Sequence, residues 1–152
     1  MLKKIVSGGQ TGADRAALDF ALQLGIPHGG WVPKGRRAED GPLPDRYLLK
    51  ETSAANYPER TEQNVVDSDG TLVISHGSLT EGSAYTIEMA IKHGRPWLHL
   101  DMERLTLQEA SQRLRSWMAT SSIEVLNVAG PRQSNDPRIY DTVLAVLLAS
   151  LG

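Results

Sequence analysis

Cysteine is absent from all 152 residues. Its absence removes disulfide staples, thiol nucleophiles and every zinc site that needs thiolate ligands, and it fits a reducing compartment. Long apolar runs are missing as well. The longest, Val143 to Ala149, is too short to cross a bilayer, and the apolar stretch within Met1–Ser7 is too short for a signal peptide, so a cytoplasmic protein with no membrane partner is expected. An excess of positive charge is also lacking: 16 Lys and Arg stand against 18 Asp and Glu, a net charge of -2. Such a chain is a poor match to nucleic acid held by counterion release, which leaves small molecules as the expected partners. No internal repeat or low-complexity tract is found.

What is present fits one globular domain over residues 1–152, with 40% apolar and 22% charged residues. At this length roughly two thirds of the unfolded chain's surface can be buried, so a core needs neither metal nor disulfide. The cations are unequal, eleven Arg against five Lys, and Arg is favoured where a rigid fork must meet phosphate or carboxylate.

Short β-branched runs alternate with helical patterns, which predicts βα units around a mostly parallel sheet and hence an α/β fold. Strands are expected at Lys3–Ser7, Thr71–Ser75, Trp97–Leu100 and Ile123–Val128, with weaker ones near Ile26 and at Tyr47–Lys50. Helices are expected at Ala13–Leu24, closed by Gly25; from Pro58 to before Gly70; at Ala84–His93; at Leu107–Met118; and at Pro137–Leu151. The stretch from Pro27 to Asn56, with Pro27, Pro33, Pro42, Pro44, Gly29, Gly30, Gly35 and Gly41, is too long for a plain connector and reads as a functional excursion. Phe20, Trp97 and Trp117 read as core. The apolar last helix fits either burial within the subunit or a homo-oligomer.

Ligands of parallel sheets bind at the carboxyl ends of the strands, so chemistry is sought in the loops there. The loop after the first strand, Ser7-Gly8-Gly9-Gln10-Thr11-Gly12-Ala13-Asp14-Arg15, is an anion cradle by composition: main-chain amides can converge there in front of a helix N-terminus. Its spacing is neither that of a dinucleotide fingerprint nor that of a P-loop. A tight turn with Thr11 as cap is the plainer reading. A second donor set lies in Ser75-His76-Gly77-Ser78-Leu79-Thr80-Glu81-Gly82-Ser83-Ala84-Tyr85-Thr86-Ile87-Glu88, and the two loops are expected to face each other from neighbouring strands. Glu88 is the candidate acid/base or ribose-binding carboxylate; a helical pair with Lys92 is the alternative. Gly130 and Arg132 follow the last strand, where a guanidinium could grip phosphate. Trp31, Lys34, Arg36 and Arg37 could form a lid over a charged ligand, against the ordinary reading of solvated charge. His28, His76, His93 and His99 show no H-x-x-x-H spacing, so no protein-only metal site is expected.

Four blocks carry a resemblance: Ser7 to Asp19, Gly29 to Gly41, Arg60-Thr61-Glu62-Gln63-Asn64-Val65 and Asn127-Val128-Ala129-Gly130-Pro131-Arg132. Together the sequence resembles the bacterial family named "putative molybdenum carrier protein", a circularly permuted YpsA-type branch of the SLOG superfamily. The resemblance implies a three-layer Rossmann-like domain whose Gly-rich loops hold a phosphorylated, nucleotide-like molecule or oxyanion, with molybdenum cofactor or a nucleotide as the implied cofactor. It also implies that the permuted order puts Ala129-Gly130-Pro131-Arg132 where relatives have their first strand and turn. The ligand-binding set expected from residues and resemblance together is Gly8, Gly9, Gln10, Thr11, Gly12, Arg15, Trp31, Lys34, Arg36, Arg37, Gly77, Thr80, Gly82, Ser83, Thr86, Glu88, Gly130 and Arg132. The wider superfamily includes phosphoribohydrolases with a P-G-G-x-G-T-x-x-E block, matched here only by Thr86 and Glu88, with Gly82 standing for one glycine. A nucleoside-monophosphate hydrolase and a nucleotide-sensing scaffold are therefore the alternatives to a carrier.

Overall fold

A computed structural model describes the chain from Met1 to Gly152. In chain order the elements are β1 (Lys4–Val6), α1 (Ala13–Leu24), β2 (His28–Gly29), β3 (Trp31–Val32), β4 (Arg37–Ala38), β5 (Gly41–Pro42), β6 (Lys50–Glu51), α2 (Tyr57–Val66), β7 (Gly70–Ser75), α3 (Glu81–Lys92), β8 (Trp97–Asp101), α4 (Leu107–Thr120), β9 (Val125–Ala129) and α5 (Ile139–Leu151). Five strands form one parallel sheet in the order β2-β1-β9-β7-β8. This is the α/β architecture that alternating strand and helix patterns predict, and it is the Rossmann-like arrangement that the resemblance implies.

Strand pleating sends successive side chains to opposite faces. Ile5, Leu72, Ile74, Leu126 and Val128 therefore share one face, where α1, α4 and α5 supply Ala13, Phe20, Leu114, Val143 and Leu147 to a single buried core. On the other face α2 packs on α3. α1 ends at Gly25 in the left-handed conformation. α2 is capped by the Asn56 side chain, with Pro58 in its first turn, and α4 starts with a reciprocal capping box between Thr106 and Glu109.

The expected neighbourhood of β1 and β7 does not occur, because β9 lies between them. The loop after β9 thus becomes the central one of three at the sheet's carboxyl edge. α3 starts at Glu81, earlier than expected, since the Thr80 hydroxyl caps it by accepting from the Ser83 amide. Trp97 opens the edge strand β8 and is 42% exposed, so it is not core.

The excursion between α1 and α2 holds a core of its own. Leu18, Val32, Leu43, Tyr47 and Leu49 form a second buried cluster. Arg36, whose own backbone has φ 55, ties the segment together by donating to the carbonyls of Leu43, Pro44, Tyr47 and Leu49.

At the crowded centre of the carboxyl edge, a Cβ on Gly130 would meet the Ile74 carbonyl oxygen at 2.5 Å and the Ala13 Cβ at 2.7 Å. Gly130→Ala is expected to destabilise the fold by about 1–3 kcal/mol through overpacking. The urea unfolding midpoint measures this, and an unchanged midpoint would refute it.

Candidate functional site

A cleft of about 410 Å³ opens at the carboxyl ends of β1, β9 and β7. The loop after β1 contributes Gln10 and the start of α1 contributes Asp14. Gly130, Arg132, Ser134 and Asn135 come from the loop after β9. Thr80, Glu81, Gly82 and Thr86 come from the start of α3, and Tyr57, Arg60 and Thr61 from α2. Of the expected ligand-binding residues, the cleft brings together Gln10, Thr80, Gly82, Thr86, Gly130 and Arg132. Gly8 joins them in the narrow recess beneath, beside Asp14, Arg60 and Asn64.

The floor is an ion pair. The Arg60 guanidinium lies 3.8 Å from the Asp14 carboxylate, and both side chains are largely buried. Burial pushes the Asp14 carboxyl up and pulls the Arg60 guanidinium down, and in each case the opposite charge of the partner resists the shift. A Cβ on Gly8 would collide with the Arg60 guanidinium at 2.6 Å, so the glycine is what lets that group lie flat on the loop.

The expectation of bare main-chain amides after β1 is corrected for four of them by their hydrogen bonds. The Gly9 amide donates to Ser7 Oγ, that of Gln10 to Asp14 and that of Thr11 to Gln10 Oε1, while the Ala13 amide donates to the Pro131 carbonyl. Gly9 packs on Val32, Leu43 and Leu49, and Gly12, at φ 80, sits against the Pro131 carbonyl. Four amides of the loop are thus spent, those of Gly8 and Gly12 make no hydrogen bond within the chain, and side-chain donors stand beside them. Gln10 Nε2 and Arg60 Nε are buried without a partner, and Arg132 forms no ion pair within the chain.

Tyr57 organises the rim. The guanidinium groups of Arg37, Arg60 and Arg132 lie 5.2, 5.1 and 5.2 Å from its ring centroid, within the range of cation–π attraction. Gln10 is oriented from the excursion: its Oε1 accepts from the amides of Thr11 and Glu39, which leaves Nε2 free. The Glu39 carboxylate accepts from the hydroxyl of Thr11 and from both the hydroxyl and the amide of Ser134. It thereby straps the excursion to the loops after β1 and β9. Burial raises the Glu39 carboxyl, but the hydrogen bonds from Ser134 and Thr11 outweigh it and hold the group below its ordinary value. His76, just after β7, is tied to the segment after β9 through Asp136 at 2.5 Å and to α5 through Thr142 at 3.1 Å.

Other expected residues lie elsewhere. Arg15 turns away to pair with Asp40 at 3.0 Å. Lys34 is exposed and Arg36 is spent on carbonyls, while Arg37, beside Tyr57, donates to the Ala55 carbonyl and is not part of the cleft lining. Trp31 donates from Nε1 to Asp67 at 2.7 Å, away from the cleft. The Gly77 amide is taken by Asp101, and Ser83 is buried behind its cap. Glu88 is exposed on α3 outside the cleft, and Lys92 pairs with Glu62 instead of with it.

Sequence reasoning left Asp14, Tyr57, Arg60, Thr61, Glu81, Ala129, Ser134 and Asn135 out of the site, and of these Asp14, Tyr57 and Arg60 shape it most. Arg60 lay inside a recognised block, but helical periodicity alone does not reveal a buried cation.

The chain matches the model of the circularly permutated YpsA SLOG family over residues 5–151. It is similar to a solved structure described as a putative molybdenum carrier protein from Syntrophus aciditrophicus SB, with 52% sequence identity and a TM-score of 0.98, covering 99% of this chain and 96% of that one. No curated protein matches.

Asp14→Asn leaves the Arg60 charge buried beside a neutral amide, and is expected to cost about 3–5 kcal/mol in urea unfolding; a loss under about 1 kcal/mol would show that the pair does not hold the floor. The hydrogen bonds from Arg15 hold the Asp40 carboxyl below its ordinary 3.8. A depressed carboxyl contributes stability that is complete above its unfolded value and lost as pH falls through its folded value. Urea midpoints are therefore expected to fall between about pH 5 and pH 2, and Asp40→Asn to flatten that fall; identical profiles would contradict the assignment.

Proposed function

Because the chain belongs to the circularly permutated YpsA SLOG family, we propose that its cleft binds a phosphorylated, nucleotide-like small molecule, and that the protein carries its ligand rather than transforming it. The observation that supports this most directly is the pair of orphaned buried donors, Gln10 Nε2 and Arg60 Nε. Buried polar groups without partners cost about 1–3 kcal/mol each, and an acceptor-rich oxyanion relieves that cost. Arg132 adds an unpaired fork suited to phosphate.

The first turn of α3 opens at Gly82, where an added side chain would meet nothing within 4 Å. Its leading amides can face an anion there, with the helix dipole behind them. The volume of about 410 Å³ falls within the roughly 300–1,000 Å³ of small-molecule sites. The similar protein's description names a molybdenum carrier, and molybdenum cofactor is the phosphorylated form of such a cargo that we propose for this cleft. Its phosphate would lie between Arg60, Arg132 and Gln10, and the Tyr57 ring would offer its pterin a flat wall.

Cleavage of a glycosidic bond would need a free carboxylate in the cleft. Glu88 is outside it and Asp14 is committed to Arg60, which leaves Glu81, exposed in the first turn of α3, as the one uncommitted carboxylate of the lining. Binding without turnover is the reading favoured here, with hydrolysis assisted by Glu81 as the alternative.

Thermal-shift and calorimetric titration against nucleoside monophosphates, molybdate and a pterin phosphate tests the proposal. A cognate ligand is expected to stabilise by about 2.7 kcal/mol at a hundredfold excess over Kd. Arg132→Ala should weaken it roughly 10- to 100-fold, the value of a charge-assisted hydrogen bond. Gly82→Val should fold normally yet give no shift, because the new side chain fills the cleft. An undiminished shift in Gly82→Val, or no shift with any of the three ligand classes, would overturn the reading.

A further inference from the structure

Lys4 and Val6 alternate with Ile5, so their side chains leave β1 on the face opposite the main core. Val125, paired in register with Lys4, shares that face. Most of this face is roofed by α2 and α3, but over β1 and β2 the roof is the excursion, and it does not close. A cavity of about 190 Å³ remains, floored by Val6 and Val125 and walled by Trp31 and Leu48. Val6 is 2% exposed, yet it belongs to neither buried apolar cluster. Leu48, by contrast, is 71% exposed at the mouth.

Polar groups converge on this space from three elements. The Lys4 ammonium lies across Gly29, where an added Cβ would meet Lys4 Nζ at 3.1 Å. The Lys50 ammonium stands 5.6 Å from the centroid of the Trp31 ring. Neither has an ion-pair partner, whereas Lys3 pairs with Glu124 and Lys92 with Glu62. His28 Nε2 accepts from the Leu48 amide at 3.1 Å, so a neutral ring carries its proton on Nδ1. Burial, followed by the nearby charge of Lys4, pulls the His28 imidazole below its ordinary value and keeps it in that neutral form. The one carboxylate in the wall, Asp67, is engaged by the Trp31 indole N–H.

We propose that this cavity is a second binding site, for a small planar monocarboxylate, separate from the cleft and independent of what the cleft holds. Two ammonium groups against one carboxylate leave a single net positive charge, which balances a monoanion rather than a phosphate dianion. The apolar floor and the indole wall suit a flat hydrocarbon body. The volume, below the range of drug-sized sites, admits about one ring. The carboxylate meets Lys4 and Lys50, and the ring lies against Trp31 over Val6.

Titration of the isotopically labelled protein with benzoate, followed at the Trp31 indole N–H resonance, tests the site; benzamide and inorganic phosphate serve as the neutral and the dianionic probe. Benzoate is expected to give a saturable shift at Trp31 and at His28, at least tenfold tighter than benzamide, with phosphate giving none at these positions even if it shifts Gln10 in the cleft. Lys4→Ala and Lys50→Ala, both at exposed positions, should keep the native spectrum elsewhere and each weaken benzoate several-fold. Equal binding of benzamide, saturation by phosphate alone, or undiminished affinity in both lysine variants would overturn the proposal, as would the absence of a saturable benzoate shift.

Discussion

The buried contact between Asp14 and Arg60 is the constraint on which the carboxyl edge of the sheet depends. It joins the start of α1 to the middle of α2, two helices on opposite faces, through the one strand end between them. Neither charge can be removed from this position alone, because the other would be left in a largely dry environment without compensation. Three neighbouring choices follow from the pair. Gly8 must lack a side chain so that the guanidinium can lie over it, and the Gln10 amide must reach the carboxylate. The Tyr57 ring must lie beside the cation it helps to desolvate.

That pair also changes the kind of recognition the site can offer. Glycine-rich loops ahead of helices commonly grip anions with main-chain amides. Here the loop after β1 spends four of those amides on Ser7, Asp14, Gln10 and Pro131, and side-chain donors supplement the rest. A side-chain site can be re-aimed by its supports. The excursion acts as such a support, because the Glu39 amide holds one end of Gln10 while its carboxylate binds the loops on either side. The long segment between α1 and α2 is therefore neither a loose lid nor a simple connector. It carries its own small core and delivers one acidic residue to the rim.

The layered fold was legible from periodicity and punctuation. α1 ran from Ala13 to Leu24 as read, because Gly25 and the apolar spacing point to the same boundary, and the four main strands fell within a residue or two of their β-branched runs. Part of the cleft lining was legible from its place at the carboxyl ends of strands, as Gln10, Gly82, Gly130 and Arg132 were, though Ser134 and Asn135 on the loop after β9 were not. The site was illegible wherever contacts between distant segments decide. Arg15 and Arg36 have the same composition signal as Arg132, but Asp40 claims one and four carbonyls the other. Arg60 lay in a recognised block without an assigned role, and it is the packing of α2 over the sheet that buries it. Glu88 could be read either as a site carboxylate or as a helical partner of Lys92, and its side of α3 faces solvent.

The position of β9 at the heart of the sheet has a kinetic side. Its register with β1 matches residue 125 to residue 4, and it also separates β1 from β7. Until this late segment has been made, the earlier strands form two half-sheets whose open edges have nothing to pair with. Such non-local closure lengthens the average loop that folding must shut and slows the search. During synthesis the nascent chain is thus left with two unsatisfied strand edges, a state in which helper chaperones or neighbouring chains compete for the space that β9 will later fill.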